Sequence, residues 1–333
     1  MQTKHLFASA NTGLGFVKNF DQIKATNNSF MFIIKGGSGT GKSSMMKKIA
    51  KYFLEKGEKI EYFYCSTDYK SLDGIRICDS DIIMVDGTSP HITETNMLNI
   101  DSKIIDVGQF VKDGIREHKK QIEKIMTEKN SLFKNLYLYL ESAKKIFDIN
   151  KNIHKTEESV VIEKSQELLN ILKPKNQNKK SCYRELFLSA VQNDGMINLI
   201  KENNFKNCYK IKSDIFCSSE ILKIVKDELS VFGYDIIGIK NVIDPSIFDA
   251  IIIPESESII YSENLDCENE EYKQNNILIQ EILKLCGETL SKAKSLHKKL
   301  EEFYIQNMNF KEVDKLTKKI IAEISKKIKQ KLV

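Results

Sequence analysis

The chain has 333 residues, 41% hydrophobic and 29% charged, with a net charge of +5. That length accommodates about two ordinary domains, and the apolar fraction is enough for real cores. Three features exclude whole classes. No apolar run approaches the roughly 18 residues of a membrane span, the first residues lack the apolar stretch of a signal peptide, and a pI of about 8.6 falls short of a nucleic-acid-binding footprint.

In chain order, residues 5–10 read as a strand, 11–15 as a turn and 16–26 as a helix. Residues 29–35 are a short apolar run, as in a buried strand. They lead into Gly36-Gly37-Ser38-Gly39-Thr40-Gly41-Lys42-Ser43, which fits the phosphate-binding pattern G-x-x-x-x-G-K-[ST] at every fixed position. Residues 42–56 then read as a helix, with Met45, Met46, Ile49 and Phe53 on one face and Gly57 as its C-cap. Both flanks place the motif between a strand and a helix, where its mechanism needs it. Its glycines turn backbone N–H groups around phosphate oxygens, and the helix N-terminus adds partial positive charge. Lys42 then reaches the β- and γ-phosphates and Ser43 ligates Mg²⁺. Ser44 completes the candidate nucleotide-binding set: Gly36, Gly37, Ser38, Gly39, Thr40, Gly41, Lys42, Ser43 and Ser44.

Residues 59–64 form the next strand and open into the polar Cys65-Ser66-Thr67-Asp68. Residues 75–77 are short and apolar. Residues 81–86 are a third strong strand ending in Asp86, followed by the loop 87–91 and a fourth strand over 103–107. Strands alternating with a helix predict an α/β fold with a parallel sheet. From 109 to 172 glycine nearly vanishes and apolar residues recur at helical spacing, which predicts two long antiparallel helices. Residues 173–180 are polar, carry one of only four prolines, and read as a linker.

After the linker the chain repeats itself. Glu185-Leu-Phe-Leu-Ser-Ala190 matches His5-Leu-Phe-Ala-Ser-Ala10, and Gly233 follows Gly57 by 176 positions. At that offset Ile236 falls on Ile60, Asp244 on Asp68 and Asp249 on Asp73. Residues 272–332 are again glycine-poor and helical. The predicted organisation is a nucleotide-binding lobe over 1–172 with a helical hairpin (109–172), a linker at 173–180, and a second lobe over 181–333 with a helical tail (272–333). That second lobe is degenerate where chemistry would sit. Cys217 replaces Gly41, Ser218 replaces Lys42, Ser262 replaces Asp86, and Asp214 brings an acid to the place of the phosphate.

Asp86 ends its strand as a Walker B aspartate does, and there it would hold Mg²⁺ through water opposite Ser43. No Glu follows Asp86, so the usual catalytic carboxylate of hydrolysing ATPases is missing from its place. Asp68, His91 and Glu94 are the substitutes for orienting a water or accepting a proton. Asp68 is preferred, since with Ser66 and Thr67 it lies at the C-terminal end of a strand. The candidate catalytic set is Lys42, Asp86 and Asp68, with Ser43 and Asp86 for the metal. Arginine, the usual phosphate clamp, occurs only at 76, 116 and 184. Arg76 and Arg116 are expected to be surface charges. Seven scattered cysteines without a C-x-x-C pair point to a reducing cytoplasm and away from a zinc site.

The segments H-L-F-A-S-A-N-T, K-G-G-S-G-T-G-K-S-S, Y-C-S-T-D…S-L-D-G and V-D-G-T-S-P-H together resemble an uncharacterised bacterial family of tandem P-loop ATPase-like proteins. The resemblance covers both halves, and V-D-G-T-S-P-H is its most specific part. It implies ATP binding and hydrolysis but no substrate. Both halves of that family usually carry a P-loop, so this chain departs from it in the second half. The expectation is a cytoplasmic Mg-ATP-binding NTPase with a non-catalytic second lobe, its turnover coupled to movement of the helical hairpins. A small-molecule or nucleotide kinase, with Asp68 as base but no Arg-rich lid, is one alternative. A nucleotide-gated adaptor with little hydrolysis is the other. A nucleic-acid-binding ATPase is weaker, because aromatic residues do not interleave with the lysines; a protein or small-molecule partner is expected instead.

Overall fold

The computed structural model describes residues 3–26, 28–89, 93, 97–154, 156–263, 265 and 268–331. The first half begins with three short strands, β1 (Thr3–Leu6), β2 (Ser9–Thr12) and β3 (Gly15–Lys18). Gly15, at φ +92°, turns the chain so that β2 and β3 pair antiparallel. The helix expected over 16–26 is therefore a strand followed by one 3₁₀ turn, Phe20–Ile23. Phe16 and Val17 pair with Asn11 and Ala10 instead, which leaves too few residues for a helix to propagate.

Next come β4 (Phe30–Lys35), α1 (Lys42–Glu55), β5 (Ile60–Tyr64), β6 (Leu72–Ile77), β7 (Ile82–Asp86) and β8 (Ser102–Asp106). They form a six-stranded sheet of order β1-β5-β6-β7-β4-β8. β4 is parallel to β7 and β8, and β1 to β5, but β6 runs antiparallel to both its neighbours. The sheet is mixed rather than parallel throughout. The short connections on either side of β6 cannot hold the crossover of about a dozen residues that a parallel strand needs.

Two helices follow, α2 (Lys119–Ile153) and α3 (Glu158–Leu172). The second half then runs β9 (Tyr183–Leu186), β10 (Ser189–Gln192), β11 (Gly195–Asn198), β12 (Asn207–Ile211), α4 (Ile215–Val231), β13 (Ile236–Lys240), β14 (Phe248–Ile253) and β15 (Ser258–Ser262). It ends with α5 (Glu270–Gln306) and α6 (Phe310–Lys331). Its main sheet has the order β12-β15-β14-β13-β9. Replacing each strand by its counterpart in the first half gives β4-β7-β6-β5-β1, the first sheet without β8.

The long helices do not fold back on themselves as hairpins. α2 packs along α5 instead. Asn150 meets the Tyr272 carbonyl and Asn276 at one end, at 3.3 and 2.9 Å, and His118 faces the Phe303 ring at the other. The pair is thus antiparallel. α3 lies on α4, and α6 lies on α1. Each half therefore covers the outer helix of the other. Val313, Ile320 and Ile324 of α6 join Met45, Ile49 and Ile75 in one buried cluster. Val161 and Leu168 of α3 join Ile221, Val225 and Leu229 in another. A third cluster, with Phe7, Leu140, Phe187 and Leu290, lies between the halves. An apolar stripe specifies that a helix must be covered, not which sheet covers it, so spacing alone suggested hairpins.

At the junction Phe7 and Phe187, 180 positions apart, exchange two backbone hydrogen bonds of 2.9 and 3.0 Å. Beside them Glu61 is fully buried. Arg184 donates to its two oxygens at 2.8 and 2.9 Å, and Arg76 donates at 3.3 Å. Arg76 also donates to Asp81 at 2.8 Å. Arg76 is thus a buried structural charge, not the surface residue expected, because Glu61 and Asp81 compensate it. Arg116 is exposed beside Asp113. Among the described residues no helix is long and apolar enough to cross a membrane.

One half-buried carboxyl makes stability depend on pH. Burial pushes Asp249 up to about 6, against the Asn241 amide, which donates to it at 2.8 Å and favours the anion. The raised value means the folded state holds the proton more tightly than the unfolded chain does. Ionisation therefore costs stability as pH rises from about 4 to about 6. Asp249→Asn is expected to stabilise the protein by about 1–2 kcal/mol at pH 7, discounted for partial exposure. Urea titrations at pH 7 and pH 4 check this: the gain should vanish at the lower pH.

Candidate functional site

β4 and β7 run parallel with Ile34 beside Asp86, so the 36–43 loop and Asp86 leave the sheet at the same edge. That edge is where open α/β sheets bind ligands. Lys42 is the first residue of α1. Its ammonium donates to the Gly36 and Gly37 carbonyls, each at 2.8 Å, and lies 3.5 Å from Asp86 Oδ2. The Thr40 hydroxyl donates to Gly37 O at 2.8 Å. Thr88 ties the second strand in: its hydroxyl donates to Gly36 O at 2.9 Å and its N–H to Asp86 Oδ1 at 2.8 Å. Gly39 and Gly41 have φ of +71° and +92°, a region that strains any side chain. The structure thus brings Lys42 and Asp86, from the loop and from β7, to within 3.5 Å of each other.

The helix begins at a glycine. Gly41 is the N-cap of α1 and, as a glycine, brings no side chain of its own to cap it. The first-turn N–H groups of a 14-residue helix therefore gather beside an ammonium. Ser43 Oγ accepts the Leu72 N–H at 2.9 Å and keeps a second lone pair. These residues fit a phosphate with its magnesium: donors and positive charge for the anion, one hydroxyl and one carboxylate for the cation. Among the described residues no group of three or more His, Cys, Asp or Glu is placed to hold a metal by itself. Mg²⁺ characteristically completes such a sparse set with phosphate oxygens and water.

The other candidates are placed as follows. Ser38 is half-buried and Ser44 exposed. Asp68 follows β5, which β6 and β7 separate from β4; three strand spacings are roughly 14 Å. Its partner is Lys294 of α5, at 3.0 Å. Ser66 is buried. His91 and Glu94 lie outside the described residues.

The second lobe repeats the frame around different chemistry. Ser219 Oγ accepts the Phe248 N–H at 3.0 Å, 176 positions after the Ser43–Leu72 pair. Asp214, at the position of Ser38, caps α4. One of its oxygens accepts from the Phe216 and Cys217 N–H groups at 2.9 and 3.1 Å. The other lies 3.1 Å from His154 Nε2, just past the end of α2. A carboxylate of the chain thus occupies the helix end that in α1 is a glycine. Asp214→Ala is expected to cost about 0.5–2 kcal/mol, the range for a lost N-cap, as a lower midpoint in thermal denaturation.

One set of residues escaped the sequence reading. The end of α5 and the start of α6 lie on the 36–43 loop. A Cβ on Gly37 would collide with the Tyr304 ring, and one on Gly39 would come within 2.9 Å of the Glu301 carbonyl. Phe310 faces Gly41. Helical spacing could not show which lobe these residues cover. The available signal was positional. Lys294 and Tyr304 each lie 150 positions after Lys144 and His154, and Lys144 pairs with Asp244 at 3.4 Å as Lys294 does with Asp68.

Fold and site define a two-lobed α/β protein with mixed sheets and one glycine-rich loop of phosphate-binding pattern. The chain belongs to the family described as Nephrocystin 3, N-terminal, which matches residues 12–189, a little over half its length. No curated protein and no solved structure matches it.

Proposed function

We propose that the protein is a Mg-ATP-binding P-loop NTPase whose first lobe holds the nucleotide and whose second lobe does not. The observation that carries this reading is the contrast between two equivalent helix ends. α1 has a glycine at its N-cap and carries Lys42, whereas Asp214 caps the N-terminus of α4 with its own side chain. In this reading the loop amides and Lys42 hold the β- and γ-phosphates, and Ser43 and Asp86 hold Mg²⁺. Magnesium would supply charge neutralisation on the phosphates. Asp68 is the candidate base for water, or for an acceptor hydroxyl in the kinase alternative, and it is paired with Lys294. The adaptor alternative gains from the residues after Asp86, Gly87 and Thr88, which offer no carboxylate to orient a water.

Calorimetric titration with ATP, with and without Mg²⁺, tests the binding. Release of labelled phosphate tests the turnover. Saturable binding with phosphate release supports the NTPase, and binding without release supports the adaptor. Absence of binding at millimolar ATP rejects both.

A further inference from the structure

The contacts above the 36–43 loop point to a built-in plug on the proposed nucleotide site. Tyr304 packs on Gly37, Glu301 on Gly39 and Phe310 on Gly41. These three come from the second half of the chain, from α5 and α6. The α5–α6 elbow is also pinned beside the loop. Val111 and Met308 form an antiparallel bridge. Lys112 N–H donates to Asn307 O at 2.8 Å and Asn309 N–H to Phe110 O at 3.0 Å. Beneath the plug Lys42 is turned onto the carbonyls of Gly36 and Gly37. Those bonds must break before the ammonium can reach a phosphate, and the segment that must rearrange is the one under Tyr304.

The second lobe has the same device in a permanent form. His154, 150 positions before Tyr304, reaches over the loop of the opposite lobe and meets Asp214 there. In that lobe a carboxylate of the chain has taken the anion position. In the first lobe the position equivalent to His154 holds the Tyr304 ring over Gly37 instead.

We propose that Tyr304 and the α5–α6 elbow form an autoinhibitory lid, which the β- and γ-phosphates of an incoming nucleotide displace. This rests on the nucleotide-binding reading above and adds its regulation. The displaced element is the end of a 37-residue helix. Ten residues, or about 15 Å, separate Tyr304 from Lys294 along α5, so the same movement acts on the Lys294–Asp68 pair. Triphosphate entry is thereby read out at Asp68 and along the α2–α5 pair between the lobes.

The test is association of Mg²⁺ and a fluorescent ATP analogue with the full chain, wild type against Tyr304→Ala and Tyr304→Phe. If the lid is open a tenth of the time or less, removing the ring should raise the apparent affinity about tenfold or more. Tyr304→Phe keeps the packing and should behave as wild type. Binding at equal affinity and rate in Tyr304→Ala and wild type would overturn the lid alone. Binding by none of the proteins would overturn the nucleotide reading and the lid with it. A measurement on the wild type covers failure of Tyr304→Ala to fold. Deuterium uptake at residues 301–310 should rise when a non-hydrolysable ATP analogue binds, and unchanged uptake with the analogue bound would also overturn the lid.

Discussion

Glu61→Gln is expected to destabilise the protein by roughly 3–5 kcal/mol, the range for breaking a buried ion pair by removing one partner. Glu61 is fully buried and takes two hydrogen bonds from Arg184 and one from Arg76. Burial alone would raise its pKa, but Arg184, Lys4 and Arg76 outweigh it and hold the carboxyl well below the usual range. A neutral amide in its place leaves the Arg184 guanidinium charged and without its bidentate partner. The sign with pH follows. The folded pKa lies below the unfolded one, so this stabilisation is present above about pH 4.5 and is lost as pH falls through the folded value. Urea unfolding at pH 7 measures the cost. In an Arg184→Met background the same change should cost much less, because the orphaned charge is gone. Equal costs in the two backgrounds would mean that the pair does not couple the halves.

Lys42→Ala is expected to weaken ATP binding at least 100-fold, about 3 kcal/mol, while lowering stability by about 1 kcal/mol or less. A charge-assisted bond to phosphate is worth more than neutral ones, whereas the bonds to Gly36 and Gly37 replace interactions with water. Calorimetry and thermal denaturation on the same samples separate the two effects. The opposite pattern, a collapse of the melting temperature with ATP affinity intact, would make Lys42 a strut of the loop and sink the phosphate role.

Much of this arrangement was legible in the sequence. The loop and Asp86 are encoded locally, by glycines, a lysine and a strand-end acid at fixed spacing. The structure places them together because β4 and β7 are neighbours. The repeat was legible because Asp68 and Asp244 recur at one offset, and they occupy equivalent ion pairs. What could not be read was long-range. The direction of β6 depends on connection length, which the apolar run at 75–77 does not announce. Arg76 looked like a surface charge because its partners, Glu61 and Asp81, are fixed by sheet register and lobe docking. The exchange of α3 and α6 was hidden for a related reason, since either sheet could accept either stripe. Tyr304 was missed with it.

The exchange of α3 and α6 also sets the order in which the protein can be completed during synthesis. The 36–43 loop and the strands around it leave the ribosome well before α6, the helix that seals their outer face. At about 5–20 residues per second, the stretch from α1 to the end of α6 takes tens of seconds to emerge. Throughout that interval Met45, Ile49 and their neighbours lack Val313, Ile320 and Ile324. The nascent first half therefore exposes this apolar face to water until α6 is made. A chain stopped before residue 310 keeps every residue of the phosphate-binding motif but leaves the apolar seam beside it open to water.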